Sequence, residues 1–186
     1  MKRSHLQGLL AVISIGVALF SSSAIAWEHG IAAGFGGGKE IDQDYYNTDY
    51  VLSAKLYKFK KIDDTLIAVI EASFSKLQAD TDEYNSMYAA AIALSLRGYF
   101  LNPEHYRIKP YLEISSGPAY LSEHQLGNNI QGSHLVIQST LGGGFEFGKN
   151  HSIDLNFHFA HYCNAGLADP NQGFDFPFII SLGYLW

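Results

Sequence analysis

The stretch Ile153-Asp-Leu-Asn-Phe-His-Phe-Ala-His-Tyr-Cys163 alternates apolar and polar side chains over its whole length. Successive side chains of a β-strand point to opposite faces. One face therefore carries four apolar side chains followed by His161 and Cys163, and the other carries Asp154, Asn156, His158, Ala160 and Tyr162. An imidazole and the single thiol of the chain lie on one face, where its apolar surface ends. This arrangement suits chemistry at the boundary of a membrane.

Seven further segments alternate in the same way and are separated by turn residues. The predicted strands are His29–Gly38, Thr48–Phe59, Thr65–Leu77, Ser86–Leu101, Arg107–Leu121, Ser133–Phe147, His151–Cys163 and Phe174–Trp186. The alanine-rich stretch Ala89 to Leu96 also allows a helix, but the alternation around it favours a strand.

The composition is 47% hydrophobic and only 16% charged, with 18 glycines. Eight strands with an apolar outer face fit the smallest transmembrane barrels, and a closed barrel satisfies every backbone group without water. We therefore predict an all-β fold, an eight-stranded antiparallel transmembrane β-barrel. The formal net charge of -6 argues against a nucleic-acid partner.

The first residues have the features of a secretory signal peptide. Lys2 and Arg3 precede an apolar run from Leu9 to Phe20, and Ala24-Ile25-Ala26 is a small-residue cleavage site. We expect residues 1–26 to be removed and residues 27–186 to form the barrel. A retained amphipathic N-terminal helix is the alternative.

An even number of strands fixes the orientation of the barrel. Both termini then lie on the periplasmic side of an outer membrane, together with the short turns. The seventh strand runs outward, so His161 and Cys163 face the outer leaflet, which consists of lipopolysaccharide. With one cysteine, Cys163, the chain forms no intramolecular disulfide.

The segment that follows this strand carries a recognisable motif. It reads His161-Tyr-Cys-Asn-Ala-Gly-Leu-Ala-Asp-Pro-Asn-Gln-Gly-Phe-Asp175. It resembles the signature of the PagL family, the outer-membrane lipid A 3-O-deacylases, which runs His-x-Ser-Asn, a turn rich in Ala and Gly, Pro-Asn-x-Gly and an acidic residue. The matching residues are His161, Asn164, Ala165, Gly166, Pro170, Asn171, Gly173 and Asp175.

The resemblance implies a function and a role for each residue. Family members use a Ser-His-Glu triad to hydrolyse the ester at position 3 of lipid A and release a 3-hydroxy fatty acid. By that likeness Cys163 would attack, His161 would act as base and then as acid, and Asp175 would orient His161. The N–H of Gly166 and the side chain of Asn171 would form the oxyanion hole, and Asn164 would shape the turn.

The sequence departs from the family pattern at two positions. Cys163 stands where the family has its nucleophilic serine, and Asp175 is one methylene shorter than the usual Glu. A thiol beside an imidazole is a competent nucleophile, but a site spaced for oxygen can misplace the larger sulfur atom. Strict alternation back from Trp186 places Phe176 outward and Asp175 inward, away from His161. We expect an irregularity near Pro177 to reverse this phase, because proline cannot donate to the strand ladder.

Other readings of the sequence remain open. The barrel could be a structural, lipid-binding or adhesive protein with little or no activity, and a thioester on Cys163 could be passed to an acceptor other than water. We expect no cofactor. His151, His158 and His161 could suggest a metal site, but we expect none, because His158 and His161 point to opposite faces. The sequence does not decide whether the barrel forms a homodimer.

Buried charges are expected to fill the lumen: Lys55, Glu71, Arg97, Glu113 and Glu146.

Overall fold

The computed structural model describes residues 27–41, 43–58, 65–101 and 106–186. The predicted signal peptide, the predicted turn at residues 60–64 and residues 102–105 lie outside these ranges. In the part of the chain that is described, no helix is both long enough and apolar enough to cross a membrane.

Eight long strands close into an antiparallel barrel. They are β1 (Trp27–Lys39), β2 (Tyr46–Lys58), β3 (Leu66–Ala79), β4 (Ser86–Tyr99), β5 (Lys109–Leu121), β8 (Leu135–Phe147), β9 (Ile153–Cys163) and β10 (Phe174–Leu185). The order around the barrel is β1-β10-β9-β8-β5-β4-β3-β2. The predicted fold class is confirmed, and the Ala89–Leu96 stretch is a strand.

Two short elements were not predicted. The loop after β5 contains a hairpin of β6 (Gln125–Leu126) and β7 (Asn129–Ile130), and a 3₁₀ turn at Lys149–His151 connects β8 to β9. The two longest connections, from β5 to β8 with this hairpin and from β9 to β10, lie at one end of the barrel, which we call the loop end. The opposite end, where β1 begins and β10 finishes, is the terminal end; there the N–H of His29 donates to the carbonyl of Trp186 at 2.9 Å.

The outer surface of the barrel is strongly apolar. On seven of the eight long strands large outward-facing side chains are more than a third exposed, and most of these exceed half, among them Phe35, Leu52, Phe74, Ile92, Leu112, Leu141 and Leu182; on β9 the outward-facing apolar side chains are half-buried. A continuous exposed apolar surface of this kind is found where a protein contacts lipid rather than water.

The lumen is filled by charged and polar side chains. Arg97 is fully buried and contacts Glu113 at 2.7 Å, Glu146 at 2.5 Å and Asp154 at 3.2 Å. Lys55 also binds Asp154, at 3.1 Å. The predicted interior network is confirmed, and Asp154 is its additional member. Toward the loop end an apolar cluster that includes Leu77, Leu121, Tyr162, Phe174, Phe176 and Ile179 closes the lumen.

We predict that Arg97→Ala destabilises the barrel by about 3–5 kcal/mol, because three buried carboxylates lose a cation that neutralises them. Urea unfolding in detergent micelles measures the effect. Arg107→Ala, at an exposed arginine, is the matched control and leaves the midpoint unchanged. Equal midpoints for both variants would show that the network contributes little to stability.

Candidate active site

His161 and Cys163 lie at the end of β9 nearest the loops. Both are partly exposed on the outward face, whereas their neighbours Ala160 and Tyr162 are 1% and 0% exposed in the lumen. The alternation that begins at Ile153 thus continues to the last residue of the strand. The two reactive side chains are on the same side of the barrel wall, as predicted.

Asp175 reaches the same face because the pairing of β10 with β9 is irregular. The register shifts between Phe176 and Ile179, on either side of Pro177. Before the shift Phe174 and Phe176 point inward and are fully buried, so Asp175 points outward and is the direct partner of His161. The expected irregularity is confirmed, and the outward placement of Phe176 is wrong.

A hydrogen bond joins the imidazole to the carboxylate. Nδ1 of His161 lies 2.8 Å from Oδ1 of Asp175, so the shorter acid still reaches the ring. The ring lies against Gly173, where an added Cβ would come within 2.5 Å of Cε1. Cys163 follows two residues after His161 on the same outward face of β9, so its thiol neighbours the imidazole. Since Nδ1 is engaged by Asp175, Nε2 is the nitrogen that remains to serve the thiol.

Two buried polar residues fix the start of β10 behind Asp175. The carboxylate of Glu40 accepts hydrogen bonds from the N–H of Asp175, at 3.1 Å, and from the side-chain amide of Asn47. Asn47 also donates to the carbonyl of Asp175 at 3.1 Å. Burial is the main cause that raises the pKa of Glu40, to about 7, and the nearby charge of Asp175 raises it further. Sequence reasoning missed both residues, which come from β1–β2 and carry no local motif.

The loop after β9 is organised by Asn164, which is fully buried. Its side-chain amide donates to the carbonyls of Ala168, at 2.8 Å, and Pro170, at 3.1 Å. Its Oδ1 accepts from the N–H of Gly166 at 3.0 Å, which closes a turn in which Gly166 has φ 72°. The prediction that Asn164 shapes this turn agrees with these contacts.

The two predicted oxyanion donors, Gly166 and Asn171, differ in the hydrogen bonds that they already make. The N–H of Gly166 is already used by Asn164 and is not free in this structure. Asn171 is exposed, and its Oδ1 accepts from the N–H of Asn164 at 2.9 Å. With its oxygen held in this way, Asn171 presents its NH₂ group as a donor. Asn171 therefore fits the predicted role, and Gly166 fits it only if the bond to Asn164 opens.

The hairpin of β6 and β7 supports this loop. Gln131 forms an isolated bridge with Asn171, and its side-chain oxygen accepts from the N–H of Asn164 at 3.2 Å. Asn129 donates to the carbonyl of Gly173 at 2.8 Å. These contacts join segments that are distant in sequence, so no local pattern could have revealed them.

A thiol, an imidazole and a carboxylate thus form a chain on the outward face of the barrel. This order is that of a nucleophile, a general base and a residue that orients the base. Among the residues that the structure describes, no three His, Cys, Asp or Glu side chains are grouped as metal ligands.

Known proteins resemble this chain in sequence and in fold. The family described as "Lipid A 3-O-deacylase (PagL)" matches residues 44–184. The lipid A deacylase PagL of Pseudomonas aeruginosa is 35% identical over 68 residues, which are 37% of this chain and 38% of that protein. The match therefore spans well under two thirds of the relative.

Solved structures share the barrel. The crystal structure of the outer membrane enzyme PagL superposes with a TM-score of 0.70 and 22% identity, covering 83% of this chain and 98% of the other. Neisserial surface protein A superposes with a TM-score of 0.56 and 13% identity, covering 88% and 98%. At these identities the likeness concerns the fold alone.

We predict that His161→Ala slows the alkylation of Cys163 by iodoacetamide several-fold at neutral pH, because the thiol loses its proton acceptor. Cys163 is the single cysteine, so the mass of the intact protein reports its modification directly. His151→Ala, at the terminal end of the barrel, is the control and alkylates at the wild-type rate. An unchanged rate of alkylation in His161→Ala would show that the imidazole does not activate the thiol.

Glu40 makes the stability of the loop end depend on pH. Its pKa is raised from 4.5 to about 7, so the fold favours the protonated form of Glu40. The resulting contribution to the free energy of unfolding is complete below pH 4.5 and is lost as the pH rises through 7. We predict that Glu40→Gln, which stays uncharged, reduces the fall in melting temperature between pH 5 and pH 8. Glu123→Gln, at an exposed loop acid, retains the wild-type fall. A fall of wild-type size in Glu40→Gln would contradict the assignment.

Proposed function

The chain belongs to the PagL family of lipid A 3-O-deacylases, and from that premise we propose that it is an esterase that removes the 3-O-linked hydroxyacyl chain from lipid A. It is an outer-membrane protein of a Gram-negative bacterium. The observation that carries the proposal is the 2.8 Å contact between His161 and Asp175 on the outward face, with Cys163 two residues from His161 on the same face of β9.

The orientation of the barrel supports this substrate. Both termini of an eight-stranded barrel lie on one side, which in the outer membrane is the periplasmic side. The loop end then faces outward, and His161 and Cys163 contact lipopolysaccharide in the outer leaflet. The acyl chains pack against the exposed apolar wall, and the ester lies level with the catalytic side chains.

The first half of the reaction transfers the acyl group to sulfur. Nε2 of His161 takes the proton of Cys163 as Sγ attacks the ester carbonyl carbon. Asn171 donates a hydrogen bond to the oxyanion that forms, an interaction that typically contributes 10²–10³ in rate. The intermediate collapses by breaking the carbon–oxygen bond to the sugar, and His161 returns its proton to the departing 3-hydroxyl.

The second half releases the fatty acid. His161 removes a proton from water, which attacks the thioester carbonyl carbon. The carbon–sulfur bond breaks, the 3-hydroxy fatty acid leaves, and Cys163 regains its proton from His161. Throughout, Asp175 accepts the hydrogen bond from Nδ1 and keeps the imidazole in the tautomer that exposes a basic Nε2.

Two features favour the alternative of a barrel that binds lipid but reacts slowly. Sulfur replaces the family's serine oxygen at Cys163, and the N–H of Gly166 is bonded to Asn164. Each would weaken stabilisation of the oxyanion. The same experiment distinguishes the two functions.

We predict that expression in a Gram-negative host whose lipid A keeps its 3-O-linked chain removes one hydroxyacyl group, as measured by mass spectrometry of lipid A. Cys163→Ala, His161→Ala and Asp175→Asn reduce the deacylated fraction by about 10³-fold or more, because each breaks the triad. Asp169→Asn, at an exposed loop acid, is the matched control and behaves as wild type.

Cys163→Ser completes the design. Activity above wild type in this variant would mean that the thiol attenuates an otherwise intact site. Folding of every variant is checked by the heat-dependent shift of the barrel in gel electrophoresis. Unchanged lipid A with folded wild-type protein would reject the esterase and favour the lipid-binding barrel.

A further inference from the structure

A row of polar side chains crosses the outward face of four adjacent strands. Asp175 on β10 pairs with His161 on β9, His161 pairs with Ser139 on β8, and Ser139 pairs with Ser116 on β5. Neighbouring strands are about 4.8 Å apart, so this polar row extends about 10 Å beyond His161. The mechanism above uses Asp175 and His161, and it leaves the two serines without a role.

The serines are surrounded by apolar side chains. On the loop-end side the same strands present Ile137 and Pro118, and on the terminal-end side they present Leu141 and Ile114. Beyond Ser116 the row continues into Leu94 on β4, which is 39% exposed. Polar side chains at the membrane interface would have apolar residues on one side only. Apolar residues lie on both sides of each serine along its strand, so the position of the interface does not explain the serines.

The two hydroxyls are bonded to each other and to no other protein group that the structure describes. Oγ of Ser116 lies 3.1 Å from Oγ of Ser139, and Ser116 is exposed. Two hydroxyls carry two protons, and their mutual bond uses one. The pair therefore offers one donor and several lone pairs toward lipid, where an unsatisfied polar group is costly.

We propose that Ser116 and Ser139 form a subsite that recognises a hydroxyl group on the acyl chain whose ester is attacked by Cys163. This inference rests on the proposed function and names the part of the substrate that the site selects. A hydroxyl both donates and accepts, so it satisfies the free proton and a lone pair of the serine pair together. A carbonyl group only accepts, so it could use the free serine proton but not a serine lone pair.

The position of the pair agrees with this ligand. In a 3-hydroxyacyl chain the hydroxyl is on the second carbon beyond the ester carbonyl. With the carbonyl at Cys163 and His161, that hydroxyl falls at the strand next to β9, where Ser139 lies. The rest of the chain then lies on the apolar surface of Phe159 and Leu141, which are paired across β9 and β8.

The test measures binding without turnover, in protein carrying Cys163→Ala. The probes are glucosamine with a 3-O-(3-hydroxytetradecanoyl) ester and the same compound with a plain tetradecanoyl ester, titrated into the protein in detergent micelles. We expect roughly tenfold tighter binding of the hydroxylated probe, as for one or two added hydrogen bonds. Adding Ser116→Ala and Ser139→Ala removes this preference and leaves the affinity for the plain ester unchanged.

Two controls sharpen the result. Ser86→Ala, at an exposed serine on the outer end of β4, keeps the preference. Ser139→Thr retains a hydroxyl and also keeps it, so a general packing defect is distinguished from loss of the hydrogen bond. Equal binding of the two probes before the serines are changed overturns the inference, and so does a preference that survives their removal or an equal loss of affinity for both.

The proposed function and this inference can fail separately. Deacylated lipid A in cells together with no hydroxyl preference keeps the esterase and rejects the subsite. Hydroxyl preference together with unchanged lipid A keeps the subsite and rejects turnover.

Discussion

The candidate site depends on the single irregularity in the pairing of β10 with β9. Pro177 has no N–H to donate, and the register between the two strands shifts around it. In an unbroken strand Asp175 would point into the lumen and Phe176 into lipid. The shift exchanges these positions, so the carboxylate meets His161 on the outside while two phenylalanines close the lumen beneath it. The register shift around Pro177 therefore places Asp175 beside His161, where it can serve as the acid of the proposed triad.

The lipid that surrounds the barrel explains where the polar groups of this protein lie. Lipid surrounds the wall, so charges such as Arg97 and its carboxylate partners are collected inside, where they neutralise one another. An outward-facing polar side chain within the wall is costly unless a lipid group or a neighbouring residue satisfies it. The triad and the serine pair form one continuous polar row on the outward face, and the proposed contact with the polar part of a lipid molecule would satisfy both. The loops around Asn164 and Gln131 add rigidity where the triad needs a fixed geometry.

Much of this structure could be predicted from alternation alone. Period-two patterning locates all eight long strands and assigns the faces of His161 and Cys163, because side-chain direction in a strand is set by position. It also identified Pro177 as the place where the pattern fails. It did not identify Glu40, Asn47, Asn129 or Gln131, because their contacts join loops that are distant in sequence. It also could not show that Asn164 engages the N–H of Gly166, since this depends on the path of one turn.

The central claim is that Cys163 carries the acyl group during the reaction, and the mass of the protein tests it most directly. Enzyme mixed with lipid A and stopped in acid within one turnover should gain the mass of one 3-hydroxyacyl group, located on the peptide that contains Cys163 and released by hydroxylamine. An acyl group found on another residue, or deacylated lipid A with no acylated protein at any time point, would contradict the account.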